Sequence, residues 1–322
     1  MRAIRQYEFG SPDVLRYERV ADPTPGEGQV LIDVAAAGVH LLDTSIRRGE
    51  AGGPWPVPEL PMTPGREVAG TITRIGAEVD PAWVGKRVVA HLGQTSGGYA
   101  ELAVANAASL HELPEHARYE DVVAMIGTGR TAVGVLRIAA LEKDDVVLVT
   151  AAAGGLGALF VQEAKAVGAT VVGLASTAKL DLVRQLGADH VVDYTQPDWP
   201  DAVRAEVGEA TVALDGVGGA PGRQALELLG IGGRTILFGW SAGEPTRIET
   251  LDLYQRGLTA SVAVGPRLMK GTNLRELETL SLRALAEGRW TPLTTVFRLA
   301  DAADAHAALE GRRTTGKVVL TP

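Results

Sequence analysis

Apolar residues follow two different patterns along this chain, and the change between them comes near residue 119. Before it, short apolar stretches are separated by clusters of glycine and proline, which is typical of strands joined by tight turns. After it, short apolar runs alternate with helical patterns. The first part therefore predicts a β-rich, partly barrel-like domain with one short helix near 41–48, and the second predicts a doubly wound parallel sheet.

The predicted elements fall into two domains. The strands of the first part are Val30–Val39, Glu67–Ile75, Arg87–His91 and Tyr99–Val104. Helices at Glu120–Met125 and Thr131–Ala140 precede strands at Val146–Thr150, Thr170–Ala175, His190–Asp193, Thr211–Asp215, Arg234–Phe238 and Leu258–Val264. The tail returns to helix from about residue 266 and ends in a strand, Lys317–Leu320. We therefore expect one domain at 119–265 and another formed by 1–118 with 266–322.

A glycine-rich turn follows the strand at 146–150. It reads Ala152-Ala153-Gly154-Gly155-Leu156-Gly157, with alanine at the first glycine position of the G-x-G-x-x-G fingerprint. Glycines in this turn let the backbone approach a pyrophosphate, whose charge is stabilised by the N–H groups of the following helix. Similar turns occur in domains that bind nothing, but a second strand at the βαβ distance favours a dinucleotide site. The apolar run 146–161 is too short and too rich in glycine to cross a bilayer.

The second strand of this unit indicates which dinucleotide binds. NAD sites place a carboxylate about 20 residues beyond the turn, where it accepts hydrogen bonds from the ribose. In this chain the residue 19 positions after Gly157 is Ser176, no acidic residue occurs from 170 to 180, and Lys179 supplies a cation. A hydroxyl and an ammonium suit a 2′-phosphate. The sequence therefore predicts NADPH over NADH, with a plain exposed role for Lys179 as the alternative.

Composition changes the picture by exclusion. The 322 residues carry a net charge of −8, with a pI near 5.4, which argues against general attraction to nucleic acid or anionic membranes. The chain contains no cysteine, so disulfides, thiolate zinc sites and a cysteine nucleophile are excluded. Residues 1–7 lack the long apolar segment of a signal peptide, and a cytoplasmic protein is therefore the expectation.

Several segments resemble one enzyme family, in family order along nearly the whole chain. They are Gly10-Ser11-Pro12-Asp13-Val14-Leu15, the stretch 38–49, Pro64-Gly65-Arg66-Glu67-Val68-Ala69-Gly70, the glycine turn, Leu186-Gly187-Ala188-Asp189 and Gly316-Lys317-Val318-Val319-Leu320. The sequence thus resembles the zinc-free quinone oxidoreductase branch of the medium-chain dehydrogenase/reductase superfamily, which includes the zeta-crystallins. The resemblance implies a Rossmann domain and a GroES-like β-rich catalytic domain formed by both chain ends, with the cofactor between them.

The resemblance also implies which residues contact NADPH. The glycine turn would face the pyrophosphate, Ser176 and Lys179 the 2′-phosphate, Tyr194 the adenine ribose and Arg312 the phosphates. For Tyr194 and Arg312 an ordinary surface role is an equal alternative. The loops after the strands that end at 215 and 238 would border the nicotinamide, because an open α/β sheet binds its ligand at the carboxyl ends of its strands. The predicted set is Thr128, Ala153, Gly154, Gly155, Leu156, Gly157, Ser176, Lys179, Tyr194, Val217, Phe238, Gly239, Trp240 and Arg312.

The same comparison tests for a metal. Zinc-dependent relatives need a cysteine, a histidine and a further ligand at the catalytic zinc, and a four-cysteine lobe at the structural zinc. In this chain His40 stands near the first ligand position, Arg66 replaces the histidine of a Gly-His-Glu pattern, and the lobe is reduced to 94–98, Gln-Thr-Ser-Gly-Gly. An imidazole beside a guanidinium is a poor metal site, so the sequence predicts no zinc.

The candidate catalytic residues are His40, Ser45 and Arg66, and all depart from the family pattern. Quinone reductases generally show asparagine in place of His40 and tyrosine in place of Ser45. An imidazole can donate to a substrate carbonyl near neutral pH, but a packed structural histidine is an equal alternative. Ser45 would widen the pocket, and Arg66 would either steer the substrate or pair with Glu67 or Asp43. The usual quinone substrates therefore cannot be assumed.

Conjugate reduction is the easier chemistry without a metal to polarise a carbonyl. The leading hypothesis is an NADPH-dependent reductase that transfers hydride to a quinone or an α,β-unsaturated carbonyl. The alternatives are an enoyl-thioester reductase of a biosynthetic pathway and a non-catalytic, crystallin-like NADPH-binding protein. Relatives that resemble this chain pair through the last strand of the sheet, in this sequence 258–264, so a homodimer is expected, with no nucleic-acid or membrane partner.

Overall fold

A computed structural model describes residues 1–50, 57–93, 96–265 and 272–322. These residues form two compact units, Met1–Thr128 with Pro292–Pro322, and Gly129–Thr291. The chain passes from one unit to the other at 128/129 and at 291/292, whereas the predicted boundaries are 118/119 and 265/266. Residue 266 lies outside the described residues, as do residues 94 and 95 of the reduced lobe.

Two side-chain anchors explain the difference in boundaries. Tyr119 holds the segment 119–128 to the first unit, because its hydroxyl accepts a hydrogen bond from Arg87 Nε at 2.9 Å and lies 3.0 Å from Thr71 Oγ1. Glu278 holds a later helix to the second unit, since its Oε1 lies 2.9 Å from Arg130 Nη1. Helical periodicity does not specify the sheet on which a helix packs, so the sequence pattern alone could not assign either segment.

Strands dominate the first unit, whereas strands and helices alternate through most of the second. The first unit begins with β1 (Arg2–Gln6), β2 (Leu15–Arg19), β3 (Gln29–Val39), α1 (Leu41–Arg47), β4 (Glu67–Ile75), β5 (Arg87–His91), β6 (Leu102–Asn106), β7 (Leu110–Glu112) and α2 (Tyr119–Ala124). The second unit contains α3 (Arg130–Ala139), β8 (Val146–Val149), α4 (Gly155–Ala166), β9 (Thr170–Ala175), α5 (Leu180–Gln185), β10 (His190–Asp193), α6 (Trp199–Val207), β11 (Ala210–Asp215), α7 (Gly219–Glu227), β12 (Leu229–Leu237), α8 (Thr250–Arg256), β13 (Thr259–Val262) and α9 (Leu274–Ala286). The first unit ends with β14 (Thr294–Arg298), α10 (Ala302–Glu310) and β15 (Lys317–Thr321).

The second unit is built on a parallel sheet in the order β10-β9-β8-β11-β12-β13. Strands such as β8 and β9 are almost entirely apolar and buried, as expected where helices cover both faces. The order is the 3-2-1-4-5-6 arrangement of a dinucleotide-binding fold, and it confirms the predicted Rossmann class. The direction of the sheet order changes between β8 and β11, where such folds bind their ligand.

The first unit is built on a mostly antiparallel sheet in the order β14-β15-β3-β4-β5-β7, with β6 also paired to β3. Its core includes Ile4, Ile32, Ile72, Tyr99 and Leu320, all of which are almost fully buried. The N-terminal and C-terminal segments both contribute to this core, as the GroES-like prediction requires.

Three predicted strands differ by more than one residue from their bounds in the structure, and the other differences are of one residue. The strand predicted at 99–104 begins at 102, because residues 99 and 100 pair with β1 instead. The strand predicted at 234–238 starts earlier, at 229. The strand predicted at 258–264 is limited to 259–262, because Leu258 N donates to Leu253 O at 3.0 Å and so caps α8.

The helical segment Tyr119–Ala139 consists of α2, one turn of π-helix at Met125–Gly129, and α3. Among the described residues it alone is long and apolar enough to cross a membrane by length and composition. Of its most apolar window, 67% is buried within the protein, as in a core helix. Single π-helical turns inside α-helices occur frequently at functional sites.

Candidate functional site

The glycine-rich turn after β8 closes through backbone contacts that leave no space for side chains. Ala151 has a φ of 48°, and its carbonyl accepts a hydrogen bond from Gly154 N at 2.8 Å. A Cβ added at Gly157 would lie 2.3 Å from Ala151 O. The helix α4 therefore begins directly against the end of β8. Its first N–H groups, at 155–157, have no intrahelical acceptor and form a site for an anion.

Alanine fits the first position of the fingerprint because that position does not need glycine in this turn. The left-handed φ belongs to Ala151, one residue earlier, whereas Ala152 is fully buried and donates its N–H to Leu174 O at 2.9 Å. The departure from G-x-G-x-x-G therefore leaves the turn intact.

A buried carboxylate organises the loops at the point where the sheet order changes direction. Asp215, only 1% exposed, ends β11 and accepts hydrogen bonds from Val217 N at 2.9 Å and Gly218 N at 3.1 Å. It also accepts from the hydroxyls of Thr150, which follows β8, and Thr246. These bonds fix the loop after β11 beside the end of β8.

The loop after β12 is tied to the same place. Phe238 N donates to Asp215 O at 2.9 Å, and Ser241 N donates to Gly216 O at 3.1 Å. The Phe238 ring packs edge-to-face on Phe160 of α4, with centroids 5.0 Å apart. Trp240 leaves 56% of its surface exposed, which is a large apolar area beside this loop.

Residues predicted to contact the adenosine half of the cofactor come after β9 and β10. Ser176 comes directly after β9, and Tyr194 comes directly after β10, where its N–H donates to Ala175 O at 3.3 Å. Lys179 ends the short 3-10 turn that begins after Ser176. Within the described part of the chain, the Ser176 hydroxyl caps no backbone N–H of this turn. A polar group thus stands at the position where an NAD site has an acid.

The structure brings most of the predicted cofactor residues to one edge of one sheet. The residues at the carboxyl edge of the second unit are Ala153, Gly154, Gly155, Leu156, Gly157, Ser176, Lys179, Tyr194, Val217, Phe238, Gly239 and Trp240. Thr128 and Arg312 belong to the first unit, together with the catalytic candidates His40, Ser45 and Arg66.

Three charged or polar side chains meet inside the first unit where β3, β4 and β15 lie side by side. Glu67 is fully buried; its Oε1 lies 2.6 Å from His40 Nε2 and its Oε2 lies 2.8 Å from Lys317 Nζ. A Cβ added at Gly127 would lie 1.6 Å from Glu67 Oε1, and one at Gly38 would lie 2.3 Å from Oε2. Two glycines, one of them in the π-helical turn, therefore make room for this carboxylate.

The charges in this cluster depend on one another. Burial would raise the pKa of the Glu67 carboxyl, but the neighbouring His40 and Lys317 outweigh burial and hold that pKa well below its usual range. Burial lowers the pKa of Lys317, and the charge of Glu67 opposes that change. Glu67 and Lys317 therefore form a buried ion pair, and the imidazole of His40 is fixed with Nε2 facing the carboxylate.

A second set of contacts positions α1. Asp43 accepts from His40 N at 2.8 Å and from the Tyr99 hydroxyl at 3.0 Å, and its Oδ1 lies 3.6 Å from Arg66 Nη2. The Ser45 hydroxyl accepts from Arg48 Nη2 at 3.2 Å. Arg66 thus pairs with Asp43 rather than with Glu67, which takes His40 and Lys317 instead.

Glu67, Lys317 and Asp215 are not among the predicted site residues; from sequence, Glu67 is only a possible partner of Arg66, and Asp215 is only the end of a strand beside the nicotinamide. Each of the three is a charged residue at one end of a mainly apolar strand, and each is almost completely buried. A charge inside an apolar strand costs free energy unless a partner compensates it. That signal was available from the sequence, but it did not show which residues are partners.

The stability of the protein should depend on pH through His306, which is fully buried between Arg47 and Tyr99. Its Nδ1 lies 3.3 Å from Arg47 Nη1, and its Nε2 lies 3.3 Å from the Tyr99 hydroxyl. Burial lowers the pKa of His306 to about 4. In the unfolded chain it takes up a proton near pH 6.5, so its contribution to stability is complete above that pH and is lost as the pH falls towards 4. Between about pH 6.5 and 4, we expect the free energy of unfolding of the wild type to fall by about 3 kcal/mol more than that of His306→Gln.

Urea unfolding between pH 7 and 4 measures this difference. His116→Gln is the control, because His116 is exposed. The free energy of unfolding of this variant should change with pH as that of the wild type does. Parallel profiles for wild type and His306→Gln would show that His306 does not carry the effect.

Comparison with known proteins identifies the family. One family model, the alcohol dehydrogenase GroES-like domain, matches residues 26–115, and another, zinc-binding dehydrogenase, matches residues 155–279. The quinone oxidoreductase of the pig, Sus scrofa, is 34% identical over 330 residues, which cover 99% of this chain and 97% of that protein. The chain belongs to the quinone oxidoreductase branch of the medium-chain dehydrogenase/reductase superfamily.

Two further relatives extend this result. A 2-haloacrylate reductase from Burkholderia sp is 32% identical, with 98% of this chain and 97% of that protein covered. The crystal structure of Escherichia coli quinone oxidoreductase complexed with NADPH matches with a TM-score of 0.87 and 28% identity over 100% of both chains. The family resemblance and the fold class inferred from sequence are confirmed, and this member of the quinone oxidoreductase branch is an oxidoreductase.

Proposed function

We propose that this protein is an NADPH-dependent reductase that transfers hydride to a quinone or an α,β-unsaturated carbonyl compound without zinc. The observation that carries the proposal is the carboxyl edge of the second-unit sheet, where the open N-terminus of α4 lies on the same edge as Ser176 and Lys179. NADPH, when bound, supplies the hydride from its nicotinamide ring. The complex of the Escherichia coli relative with NADPH supports this choice.

The described residues divide the work of binding. The N–H groups at 155–157 would hold the pyrophosphate, because a helix N-terminus stabilises negative charge. Ser176 and Lys179 would bind the 2′-phosphate, and Tyr194 would lie along the adenine ribose. The loops at 216–218 and 238–240 would border the nicotinamide half. Thr128 and Arg312 are assigned to the cofactor on family resemblance.

The donor groups do not fit a catalytic zinc. His40 directs Nε2 at Glu67, and the guanidinium of Arg66 stands where zinc-dependent relatives carry a histidine ligand. Cysteine, the preferred soft ligand, does not occur in the chain. Among the described residues no group of three or more His, Cys, Asp or Glu side chains could hold a metal ion. We therefore propose a reduction in which hydrogen-bond donors replace the metal.

Conjugate addition suits such a site. When hydride reaches the β-carbon, negative charge moves to the carbonyl oxygen, and the enolate needs a hydrogen-bond donor and then a proton at the α-carbon. We assign the donor to the imidazolium of His40, through Nδ1, because Glu67 holds Nε2; the side chain is 28% exposed. Arg66 would position α1 through Asp43, and the small Ser45 would leave space for the substrate. The 2-haloacrylate reductase supports this chemistry, because a 2-haloacrylate is itself a conjugated acceptor.

The proposed function is tested by following NADPH oxidation against ortho- and para-quinones, 2-enals, 2-enones and enoyl thioesters. We expect turnover with quinones or enones that survives dialysis against a zinc chelator. Preferred turnover of enoyl thioesters would favour the alternative of a biosynthetic enoyl reductase. Tight NADPH binding without turnover of any compound would favour a non-catalytic protein.

We also propose a homodimer through the edge strand β13. It ends the sheet, with Val262 54% exposed, and the neighbouring α8 exposes Leu251 and Tyr254 by 59% and 80%. An unpaired strand edge beside exposed apolar side chains favours pairing with a second copy. Light scattering at micromolar concentration should give the mass of a dimer; a monomer would contradict the proposal.

A further inference from the structure

The carboxylate of Asp193 lies beside the segment that is proposed to bind the 2′-phosphate. In the parallel pairing of β9 with β10, Asp193 is opposite Ala175, the residue before Ser176. The two backbones are therefore about 5 Å apart at this point. Asp193 Oδ2 also accepts a hydrogen bond from the hydroxyl of Thr177. An acid thus stands next to the site although residues 170–180 contain none.

Hydrogen bonds fully occupy this carboxylate. Oδ1 accepts from Thr195 N at 2.9 Å and from Thr195 Oγ1 at 2.6 Å, while Oδ2 accepts from Gln196 Nε2 at 3.2 Å as well as from Thr177. A carboxylate has about four lone-pair sites, and these donors use them. Burial would raise the pKa of Asp193, but the hydrogen bonds from Thr177 and Thr195 outweigh it and hold that pKa far below its usual range.

The four hydrogen bonds that the Asp193 carboxylate accepts limit how it can act on a cofactor. An acid that selects NADH does so by accepting hydrogen bonds from the ribose hydroxyls, and Asp193 has no acceptor site left for them. Its negative charge remains, however, and it acts on any second anion held at Ser176. The ammonium of Lys179 and the carboxylate of Asp193 then have opposite effects on a 2′-phosphate.

We propose that Asp193 is a specificity-determining residue that limits the preference for NADPH over NADH by repelling the 2′-phosphate. The inference rests on the proposed function, because it requires a dinucleotide whose 2′-phosphate is bound at Ser176 and Lys179. Removing the charge while keeping the shape of the side chain strengthens NADPH binding and leaves NADH binding nearly unchanged.

Asp193→Asn tests this directly. Nicotinamide fluorescence titrations of the purified full chain give Kd for NADPH and NADH without any need for turnover. We expect Kd for NADPH to fall about tenfold, as for one charge removed at short range, and Kd for NADH to change less than about twofold. Asp189→Asn is the matched control: Asp189 also accepts a backbone N–H, from Val171 at 2.8 Å, but it immediately precedes β10, at the end of the strand opposite to Asp193. Its variant should leave the ratio of the two Kd values unchanged.

Other outcomes overturn the inference. If both Kd values rise together in Asp193→Asn, the residue only supports the loop; if neither changes, its charge does not reach the site. Asp193→Ser serves as a second variant if thermal unfolding shows that Asp193→Asn is misfolded, and the same change in the ratio is expected. Failure of the wild type to bind either dinucleotide would overturn the proposed function as well, whereas normal NADPH binding with an unmoved ratio overturns the inference alone.

Discussion

Replacing Glu67 by alanine lowers the free energy of unfolding by about 3–5 kcal/mol, the cost of leaving a buried charge without its partner. Lys317 is 5% exposed and its ammonium faces only the Glu67 carboxylate among the ion pairs of the described residues. The variant leaves that ammonium in an apolar interior together with the cavity left by the deleted carboxylate. Urea unfolding at pH 7, with circular dichroism as the signal, measures the change.

Two further variants separate the effect of burial from that of charge. Glu112 and Lys86 form an ion pair in which the side chains are 51% and 43% exposed, and Glu112→Ala should lower the free energy of unfolding by less than about 1 kcal/mol. Combining Glu67→Leu with Lys317→Met removes both charges and should recover much of the loss. A cost for Glu67→Ala as small as that for Glu112→Ala would contradict the buried pair.

Replacing Gly157 by alanine weakens NADPH binding about 100-fold or more. The added Cβ would meet the backbone at Ala151 O and Ala152 Cα, at 2.3 and 2.8 Å, so the first turn of α4 has to move away from β8. Two displaced N–H groups would lose charge-assisted hydrogen bonds worth about 1.5–3 kcal/mol each. Fluorescence titration with NADPH measures the loss.

The control is Ala166→Val, which adds bulk to the exposed last turn of the same helix and should leave NADPH binding unchanged. Thermal unfolding of both variants shows whether the fold is retained. A folded Gly157→Ala protein that binds NADPH within threefold of the wild type would show that the N-terminus of α4 does not hold the pyrophosphate.

The fold was accessible from sequence wherever one pattern determined one element. Strands β4, β5, β9 and β10 have the predicted bounds, because each is an apolar run closed by turn residues or charge. The assignment of helices to units was not accessible. Tyr119 and Glu278 anchor their helices through partners 48 and 148 residues away, and no local pattern records such partners.

The cofactor edge could be predicted in part. The turn at 152–157 and the polar residues Ser176 and Lys179 are contiguous features, so a sequence window finds them. Asp193 belongs to a different strand and approaches Ser176 only because β10 pairs with β9. A window along the chain therefore finds Ser176 and Lys179, which we propose to bind the 2′-phosphate, and does not find Asp193.

The contacts of the catalytic candidates were less accessible from sequence. From sequence, His40 is equally well a donor or a packed histidine, and Arg66 has two possible acidic partners. In the structure Glu67 pairs with His40 and Lys317, because β3, β4 and β15 lie next to one another, and Asp43 pairs with Arg66. The catalytic role of His40 stays a prediction, and its fixed orientation defines the group that a substrate would meet.

The central claim, conjugate reduction by NADPH, is tested most directly with NADPH that carries deuterium at both hydrogen positions of C4 of the nicotinamide. The label is followed into the product of a 2-enone by nuclear magnetic resonance. We expect deuterium at the β-carbon of a saturated ketone, with the carbonyl intact. Deuterium at the carbonyl carbon of an allylic alcohol, or no label in any product, would contradict the proposed function.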